Sequence, residues 1–199
     1  MREVGIALNH KMIDSCLSKE ILFNSAKLLG IMRGDVSVFK SEEEMSILTD
    51  FALHEYKVND KNAVQVYREK IGGQNEMENE ILASLLSSYT SLFKVVAISE
   101  NTLLLKDILK KGDKPIELID ISFSKTTIPG TLVFIRAVPF NGFYRASGVS
   151  LVFRGDIEEY IIRRYRKISK KIKTGSDSMK RFISFFRLNR ECGEEVMYL

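Results

Sequence analysis

The chain of 199 residues is 45% apolar and 28% charged, a composition that is ordinary for a globular protein in water. Charged residues interrupt every apolar run well before the roughly 18 residues that a membrane span needs. The N-terminus has neither an uninterrupted apolar core nor a small-residue cleavage site, so we expect no signal peptide. Cys16 and Cys192 lack the spacing of a disulfide framework or a metal site. We therefore expect a reducing cytoplasm, no membrane and no cofactor.

The formal net charge of +4 is distributed unevenly along the chain. Residues 1–153 are nearly neutral, with 18 basic and 19 acidic side chains. Residues 154–190 carry 12 basic and 4 acidic side chains, which gives a local charge of +8. A segregation of this kind bears on the partners of a protein rather than on its fold.

Helical patterns dominate the first part of the chain. Apolar residues recur at helical spacing over residues 12–31, 37–58, 60–71 and 76–89. Ser41 and Glu44 have the spacing of a capping box at the start of the second pattern. Asp60 is the expected cap of the third pattern, and Gly72 with Gly73 ends it. We therefore predict four helices before the period of the pattern changes.

The middle of the chain shows the two-residue alternation of β-strands. The strand patterns cover residues 91–98, 101–109, 116–123, 131–140 and 143–153. Short turns join them, and Asn141-Gly142 is the strongest hairpin signal because both residues tolerate a positive φ. Five strands joined in this way predict a small antiparallel barrel or a strongly curled sheet, which hides its edges by closing.

Two helical patterns follow the strands, over residues 157–172 and 179–190. Asp156 is the expected cap of the first. In the second, Phe182 and Phe186 fall on the apolar stripe, whereas Phe185 lies off it.

The predicted fold is therefore α+β. It consists of N-terminal helices (1–90), a five-stranded small barrel or curled sheet (91–153) and two basic C-terminal helices packed on the rest (154–199). The three parts can be separate domains or can form one continuous domain. At the junction of the first two parts, the helical pattern passes into a strand almost without a loop. Tyr89 and Phe93 lie there and are predicted core residues.

The stretches "LLSSYTSLFKVVAISENTLLLKDIL" and "PGTLVFIRAVPFNGFYRASG" resemble the core of a group of uncharacterised bacterial and archaeal proteins. In that family a helix leads into a "SRYSLFEV" strand, and the last hairpin ends in "G-F-Y-x-x-S-G". Some relatives also carry a SEC-C zinc motif, whose cysteines this chain lacks. The resemblance spans roughly residues 48–153. It implies a shared fold and an unknown function, and it implies no catalytic residue.

Few residues are available for catalysis or metal binding. His54 has Asp50 four residues earlier on the same helical face, but no nucleophile motif such as G-x-S-x-G accompanies it. We expect an ordinary helix-surface histidine. No H-E-x-x-H, C-x-x-C or EF-hand pattern occurs. The two Arg-Gly-Asp sequences, at 33–35 and 154–156, are expected to be turns.

The strongest functional signal is the basic C-terminal segment. Five cations of the 157–172 helix lie away from its isoleucine stripe: Arg163, Arg166, Lys167, Lys170 and Lys171. Basic residues farther along could extend this face: Lys173, Lys180, Arg181, Arg187 and Arg190. Long cations along one helix can contact successive phosphates. The same pattern is also typical of a solvated helix face that only confers solubility.

The Asn141-Gly142 hairpin supplies candidate contacts to bases. Its aromatic candidates and flanking cations are Phe140, Phe143, Tyr144, Arg136 and Arg145. Small barrels bind single strands by stacking bases on exposed aromatic rings beside cations.

We therefore expect a non-catalytic cytoplasmic binding protein, with RNA or DNA as the first candidate partner. One alternative is a protein–protein scaffold or homo-oligomer. Its contact surface would be the barrel edge or a cluster of Phe182, Phe185 and Phe186, because an exposed aromatic residue is an interface signal. Another alternative is an enzyme of unrecognised type, with a pocket around His54 and Asp50. A helix lying on a membrane surface is a third.

Overall fold

The computed structural model describes residues 2–110 and 112–194, so the end of the predicted C-terminal part lies outside the described residues. The chain is divided into two compact units, residues 1–87 and residues 88–199. The first unit is helical with one short hairpin, and the second contains a five-stranded sheet with helices. The expected α+β class is confirmed. Within the described ranges, no helix combines the length and the apolar character needed to cross a membrane.

The helical unit is built from five α-helices and a two-stranded hairpin in its described part. The helices are α1 (Arg2–Cys16), α2 (Lys19–Leu29), α3 (Glu43–His54), α4 (Ala63–Lys70) and α5 (Glu76–Leu86). Strands β1 (Met32–Arg33) and β2 (Val36–Ser37) form the hairpin. Every helix contributes buried apolar side chains, among them Met12, Leu29, Phe51, Tyr67 and Leu82.

Local hydrogen bonds make the first helices differ from the predicted ones. The first predicted helix is broken at Ser18, whose hydroxyl accepts from the N–H of Ile21 at 3.2 Å and starts α2. The predicted capping box of Ser41 and Glu44 is wrong, because α3 begins without a side-chain cap. The carboxylate of Glu44 accepts instead from the backbone N–H of Lys40 at 2.7 Å.

The cap of α4 is Asn62 rather than the predicted Asp60. The side chain of Asn62 accepts from the N–H of Gln65, and the side chain of Gln65 accepts from the N–H of Asn62, both at 2.9 Å. This reciprocal pair is a capping box. Asp60 lies in the preceding turn with a φ of 63°, a left-handed conformation that aspartate tolerates better than most residues.

Five strands close into a barrel in the second unit. They are β3 (Tyr89–Ile98), β4 (Thr102–Asp107), β5 (Ile116–Ile119), β6 (Leu132–Phe140) and β7 (Phe143–Phe153). Their order around the barrel is β3-β4-β5-β7-β6. The predicted number of strands is confirmed, and each strand overlaps its predicted range.

The prediction of a wholly antiparallel barrel is wrong, because β5 runs parallel to β7. The strand pattern of residues 116–123 forms a strand only as far as Ile119. The carboxylate of Asp120 then accepts from the N–H of Phe123 at 2.9 Å and starts α6 (Ile121–Thr126). A short helix thus replaces a tight turn, and the next strand in sequence pairs with β3 instead of β5.

The barrel interior is apolar. Alternate residues of its strands meet there, including Phe93, Leu103, Leu118, Val133, Ile135 and Ala137. Phe93 is fully buried, as predicted, whereas Tyr89 is only half-buried. Phe134 has the opposite phase on β6, so its ring points out of the barrel toward the C-terminal helices.

Two antiparallel helices, α7 (Glu158–Lys171) and α8 (Asp177–Cys192), follow the barrel. A 3₁₀ turn at Gly155–Ile157 leads into α7. The predicted cap by Asp156 is wrong, because its carboxylate accepts from Nε of Arg154 at 3.0 Å and α7 has no side-chain cap.

The phenylalanine cluster of α8 is buried. Phe182, Phe185 and Phe186 are each at most 1% exposed. Phe185 stacks on Phe134 of the barrel, with ring centroids 4.6 Å apart, and on Tyr165 of α7, at 4.8 Å. The prediction of an exposed aromatic cluster is therefore wrong, because the barrel covers one face of α8 and helix α7 covers another.

Candidate functional site

The cationic face of α7 consists of Arg163, Arg166, Lys167, Lys170 and Lys171. All five side chains are exposed, as predicted. Within residues 2–110 and 112–194, none of them has a carboxylate within ion-pairing distance. Their positions repeat every three or four residues, which places them on one side of the helix along about 12 Å.

The remaining cation of α7 holds the helix in place. Arg164 donates to both carboxylate oxygens of Glu191 on α8, at 2.8 and 3.0 Å, and the hydroxyl of Tyr160 donates to the same group at 2.6 Å. The hydrogen bonds from Tyr160 and Arg164 keep the pKa of Glu191 below its usual value. This contact and the Tyr165 stack orient α7 so that its five other cations face solvent.

The predicted extension of the cationic face is only partly accessible. Lys173 is exposed, but Lys180 and Arg181 are half-buried. Nε of Arg181 lies 3.5 Å from Oγ1 of Thr90. The guanidinium of Arg190 lies over the ring of Phe186, 5.1 Å from its centroid. Arg187 is exposed.

The hairpin candidates do not form one exposed platform. Phe140 and Phe143 stack on each other with ring centroids 5.7 Å apart, and both are half-buried. Tyr144 and Arg145 are also half-buried. Arg136 is only 4% exposed, so the prediction that it lies accessible beside the hairpin is wrong. It has the same phase on β6 as Phe134, which points out of the barrel into packed side chains.

A pocket of about 630 Å³ lies at the barrel end where β3 and β7 begin and β4 ends. We call it the barrel-mouth pocket. Its lining includes Tyr89, Leu104, Asp107, Lys110, Ile116 and Tyr144. The loop before β5 adds Asp113 and Lys114, and β5 itself adds Glu117, so charged side chains of both signs line the pocket. Of the predicted binding residues, only Tyr144 lines this pocket.

Asp107 is the most unusual residue that lines the pocket, because this acidic residue is only 5% exposed. Its Oδ1 atom accepts three hydrogen bonds, from the hydroxyl of Ser91 at 2.7 Å and from the N–H groups of Leu109 at 2.9 Å and Lys110 at 3.1 Å. Its Oδ2 atom is buried and has no hydrogen-bond partner among the described residues. A residue that lines the pocket therefore keeps one buried acceptor, Oδ2, without a hydrogen-bond partner among the described residues.

Two tyrosines and a lysine form the other wall. The rings of Tyr89 and Tyr144 meet edge to face, with centroids 6.5 Å apart. Nζ of Lys110 lies 4.1 Å from the centroid of the Tyr89 ring, a cation–π distance. Burial, assisted by Tyr144 and by the carboxyl of Asp107, raises the pKa of Tyr89 to about 12. The hydroxyl of Tyr89 is thus protonated at neutral pH and can donate a hydrogen bond.

The last turn of α7 lies at the same barrel end as the pocket. Because Tyr160 near the start of α7 contacts Glu191 near the end of α8, the two helices run antiparallel. Oγ of Ser178 at the start of α8 lies 3.4 Å from Oγ1 of Thr90, the neighbour of Tyr89 in the chain. Only a short turn separates the end of α7 from the start of α8, so the cationic face ends near the barrel mouth.

The sequence contains a signal for Asp107 that the strand pattern alone did not single out. Leu103 and Leu105 point into the barrel, and Asp107 follows them in the same phase. A carboxylate at an inward position of a strand is unusual, because a buried charge requires hydrogen-bond partners. No comparable signal marks Tyr89, which has the sequence context of a core residue.

The candidate catalytic pair of the helical unit is buried. Nε2 of His54 and Oδ1 of Asp50 are 3.9 Å apart, and the two residues are 9% and 7% exposed. The expectation of a helix-surface histidine is therefore wrong. Burial raises the pKa of both Cys16 and Cys192, which disfavours the reactive thiolate. Among the described residues, no three His, Cys, Asp or Glu side chains are grouped so as to hold a metal ion.

Another charged contact in the helical unit joins α1 to α5. Nζ of Lys11 lies 2.8 Å from Oε1 of Glu78 and 3.1 Å from the side-chain oxygen of Gln74. Oε2 of Glu78 accepts from the backbone N–H of Gln74 at 2.8 Å. The hydrogen bond from Lys11 is the main reason why the pKa of Glu78 is lowered. The pair ties the start of α5 to α1.

Comparison with known protein families identifies the family of the chain. The sequence profile of a family described as "Family of unknown function (DUF7986)" matches residues 1–199. No curated protein and no solved structure matches the chain. The expected membership of an uncharacterised family is thereby confirmed.

Proposed function

The chain belongs to the DUF7986 family of unknown function, and we propose from its own residues that it is a non-catalytic protein that binds single-stranded nucleic acid. The observation that carries this proposal is the cationic face of α7. Its five exposed cations have no carboxylate partner within the described residues, and the helix that presents them is held by the Tyr165 stack and the Glu191 contact.

The binding step is electrostatic. Long cations on one helix neutralise successive phosphates and release their counterions, so affinity falls as salt rises. The rigid mounting of α7 matters, because side chains on a fixed helix lose less conformational entropy on binding than side chains on a loose segment. Lys173 extends the face past the end of the helix.

Single strands suit the barrel end better than a duplex. Only unpaired bases can reach aromatic rings, and stacking on such rings is a general means of holding single strands. Tyr144 and Phe143 at the start of β7 are half-buried, so neither residue is wholly enclosed. Arg145 is the flanking cation that remains partly accessible. In this proposal α7 holds the backbone and the barrel end holds bases.

The two contact surfaces expected for the scaffold alternative, the phenylalanine cluster and the barrel edge, are not exposed as that alternative requires. Phe182, Phe185 and Phe186 are core residues. The barrel edge is closed by the pairing of β5 with β7, which removes a free strand for another chain to join.

The test is fluorescence anisotropy of labelled single-stranded RNA, single-stranded DNA and duplex DNA at low and moderate salt. The variant replaces Arg163, Lys167 and Lys170 with glutamate. A matched control replaces Lys19, Lys27 and Arg68 with glutamate. These are three exposed cations of the helical unit, so the control changes the net charge by the same amount.

We expect the α7 variant to lose at least tenfold in affinity for single strands, and the control to lose much less, because only α7 contacts phosphates in this proposal. Equal losses in the two variants would mean that net charge alone attracts the nucleic acid. Unchanged binding by the α7 variant, or no binding by the wild-type protein at low salt, would overturn the proposal.

A further inference from the structure

The outer surface of the barrel carries an exposed apolar patch on strands β3 and β4. It consists of Val96, Ala97, Leu104 and Ile128, and we call it the outer patch. The exposed fraction of its large side chains rises from 38% for Leu104 to 70% for Ile128. We propose that the outer patch is the contact surface between two copies of this chain, which form a symmetric dimer. This inference is independent of nucleic-acid binding by α7.

Leu104 lies at the centre of the outer patch. Its neighbours in the chain, Leu103 and Leu105, point into the barrel, so Leu104 points outward from the same strand. Ala97 of β3 lies directly opposite Leu104 in the register of the two strands. Val96 is the extra residue where that register shifts, and it is exposed beside Ala97. Three apolar side chains are therefore neighbours on the outer face.

The turn that contains Ile128 borders the outer patch. The N–H of Gly130 in this turn donates to the carbonyl oxygen of Val95 at 2.8 Å, and the N–H of Val95 donates to the carbonyl oxygen of Thr131 at 2.9 Å. Val95 immediately precedes Val96, so the turn is attached to β3 at the patch. Single exposed apolar residues are common, whereas a contiguous group of them marks an interaction surface.

Two opposite charges flank Leu104. Glu117 of β5 is its cross-strand neighbour, and Lys106 follows two residues later on the same face of β4. Both residues are exposed, and neither has an ion-pair partner within residues 2–110 and 112–194. Lys94 lies directly opposite Lys106 but is paired with Glu158 at 3.0 Å. Lys106 therefore lies beside another cation and lacks a carboxylate of its own.

This arrangement of charges suits a second copy of the chain, because a two-fold contact is self-complementary. An axis that crosses β4 and β5 obliquely brings Leu104 against Leu104 of the partner subunit. The same axis places Lys106 of each copy beside Glu117 of the partner subunit. The contact then has the usual anatomy of a protein interface, with an apolar centre and a charged rim.

Leu104→Lys tests the centre of the contact. In the single chain the new ammonium group faces Glu117 across the strands, so the variant is expected to fold. In the dimer the two new ammonium groups meet at the axis and repel each other. Val36→Lys is the matched control, because Val36 is an exposed apolar residue of the helical unit and the change adds the same charge.

Charge reversal tests the ion pairs. Lys106→Glu and Glu117→Lys each bring like charges together across the axis, so each change alone weakens the dimer. The double variant restores opposite charges and with them the contact. Lys106→Glu also faces Lys94 within the single chain, so it removes a like-charge pair there. Thermal unfolding of every variant verifies that it folds.

Sedimentation equilibrium over a wide range of protein concentration measures the dissociation constant of the dimer. We expect a monomer–dimer equilibrium in the wild-type protein and a loss of about tenfold in Leu104→Lys and in each single charge reversal. The double variant recovers to within about threefold of the wild-type protein. Val36→Lys leaves the dissociation constant unchanged.

Three results would overturn the proposal. A wild-type protein that is monomeric at every concentration would leave the outer patch to a different protein or to a lipid surface. A dimer that Leu104→Lys and Val36→Lys affect equally would use another surface. Single charge reversals that weaken the dimer without recovery in the double variant would show that Lys106 and Glu117 do not meet across the axis.

Discussion

The ring of Tyr165 on α7 stacks on the ring of Phe185 on α8, with centroids 4.8 Å apart and planes 20° from parallel. The other side of Phe185 stacks on Phe134 of the barrel at 4.6 Å, also at 20°. Ile161 is the one α7 residue within the described range that is classed as buried. The aromatic layer therefore connects the cationic helix to the barrel.

Replacing Phe185 with alanine is expected to destabilise the second unit by about 3–5 kcal/mol, the usual cost of removing a fully buried phenylalanine. Chemical denaturation followed by near-UV circular dichroism measures this loss. Val96→Ala is the control, because Val96 is 46% exposed and its truncation is expected to cost less than about 0.5 kcal/mol. A Phe185→Ala loss as small as that of the control would contradict the stacking geometry.

Phe185 also shows why a single helical stripe is a weak guide to burial. Sequence periodicity assumes that a helix buries one face against one neighbour. Helix α8 has two neighbours, since Phe134 of the barrel and Tyr165 of α7 contact it from two sides. The second neighbour buries a residue that lies off the stripe. Its position is a property of the tertiary structure, so no pattern within residues 179–190 predicts it.

The salt dependence of binding should report how many phosphates α7 contacts. Each phosphate neutralised on a single strand contributes about 0.7 to the slope of log affinity against log salt. Five contacts by the cationic face give a slope of about 3.5, and the triple glutamate variant should lose about 2. Anisotropy titrations at four or more salt concentrations measure both slopes. Equal slopes in wild type and variant would show that these residues contact no phosphate.

The strands were predictable because barrel interiors impose a period of two on the chain. The parallel pairing of β5 with β7 was not. Residues 116–123 alternate like a single strand, but Asp120 caps a helix within that stretch. A local hydrogen bond overrides the alternation there. The strand that pairs with β5 then depends on the path of the chain after α6. That path is determined by contacts between residues distant in sequence.

The site was predictable in part. The cations of α7 can be recognised in the sequence by their helical spacing. Their exposure can also be predicted, because the opposite face of the helix is apolar. The barrel-mouth pocket has no such signature, since Tyr89, Asp107 and Tyr144 come from three strands. Only the barrel closure brings them together.

The cap of α4 can be tested with two neighbouring residues. Asn62→Ala removes the hydrogen bond to Gln65 and a second one, from Nδ2 to the carbonyl oxygen of His54 at 2.9 Å. We expect a loss of about 1–2 kcal/mol in the free energy of unfolding. Asp60→Asn is the control, because asparagine also tolerates the positive φ found there. If Asp60→Asn were the more damaging change, the assigned cap would be wrong.

The stability of the helical unit should depend on pH through Glu78. Its pKa lies below the usual 4.5 in the folded state, chiefly because Lys11 donates to its carboxylate. A lowered folded-state pKa adds stability above the unfolded-state pKa, and that stability disappears as pH falls through the folded-state pKa. Glu78→Gln should therefore cost about 1–2 kcal/mol at pH 7 and much less near pH 3. Urea denaturation at both pH values measures the difference, with Glu76→Gln, an exposed change in the same helical turn, as the control. A Glu78→Gln cost that is the same at pH 3 and pH 7 would mean that the charge of Glu78 does not stabilise the fold.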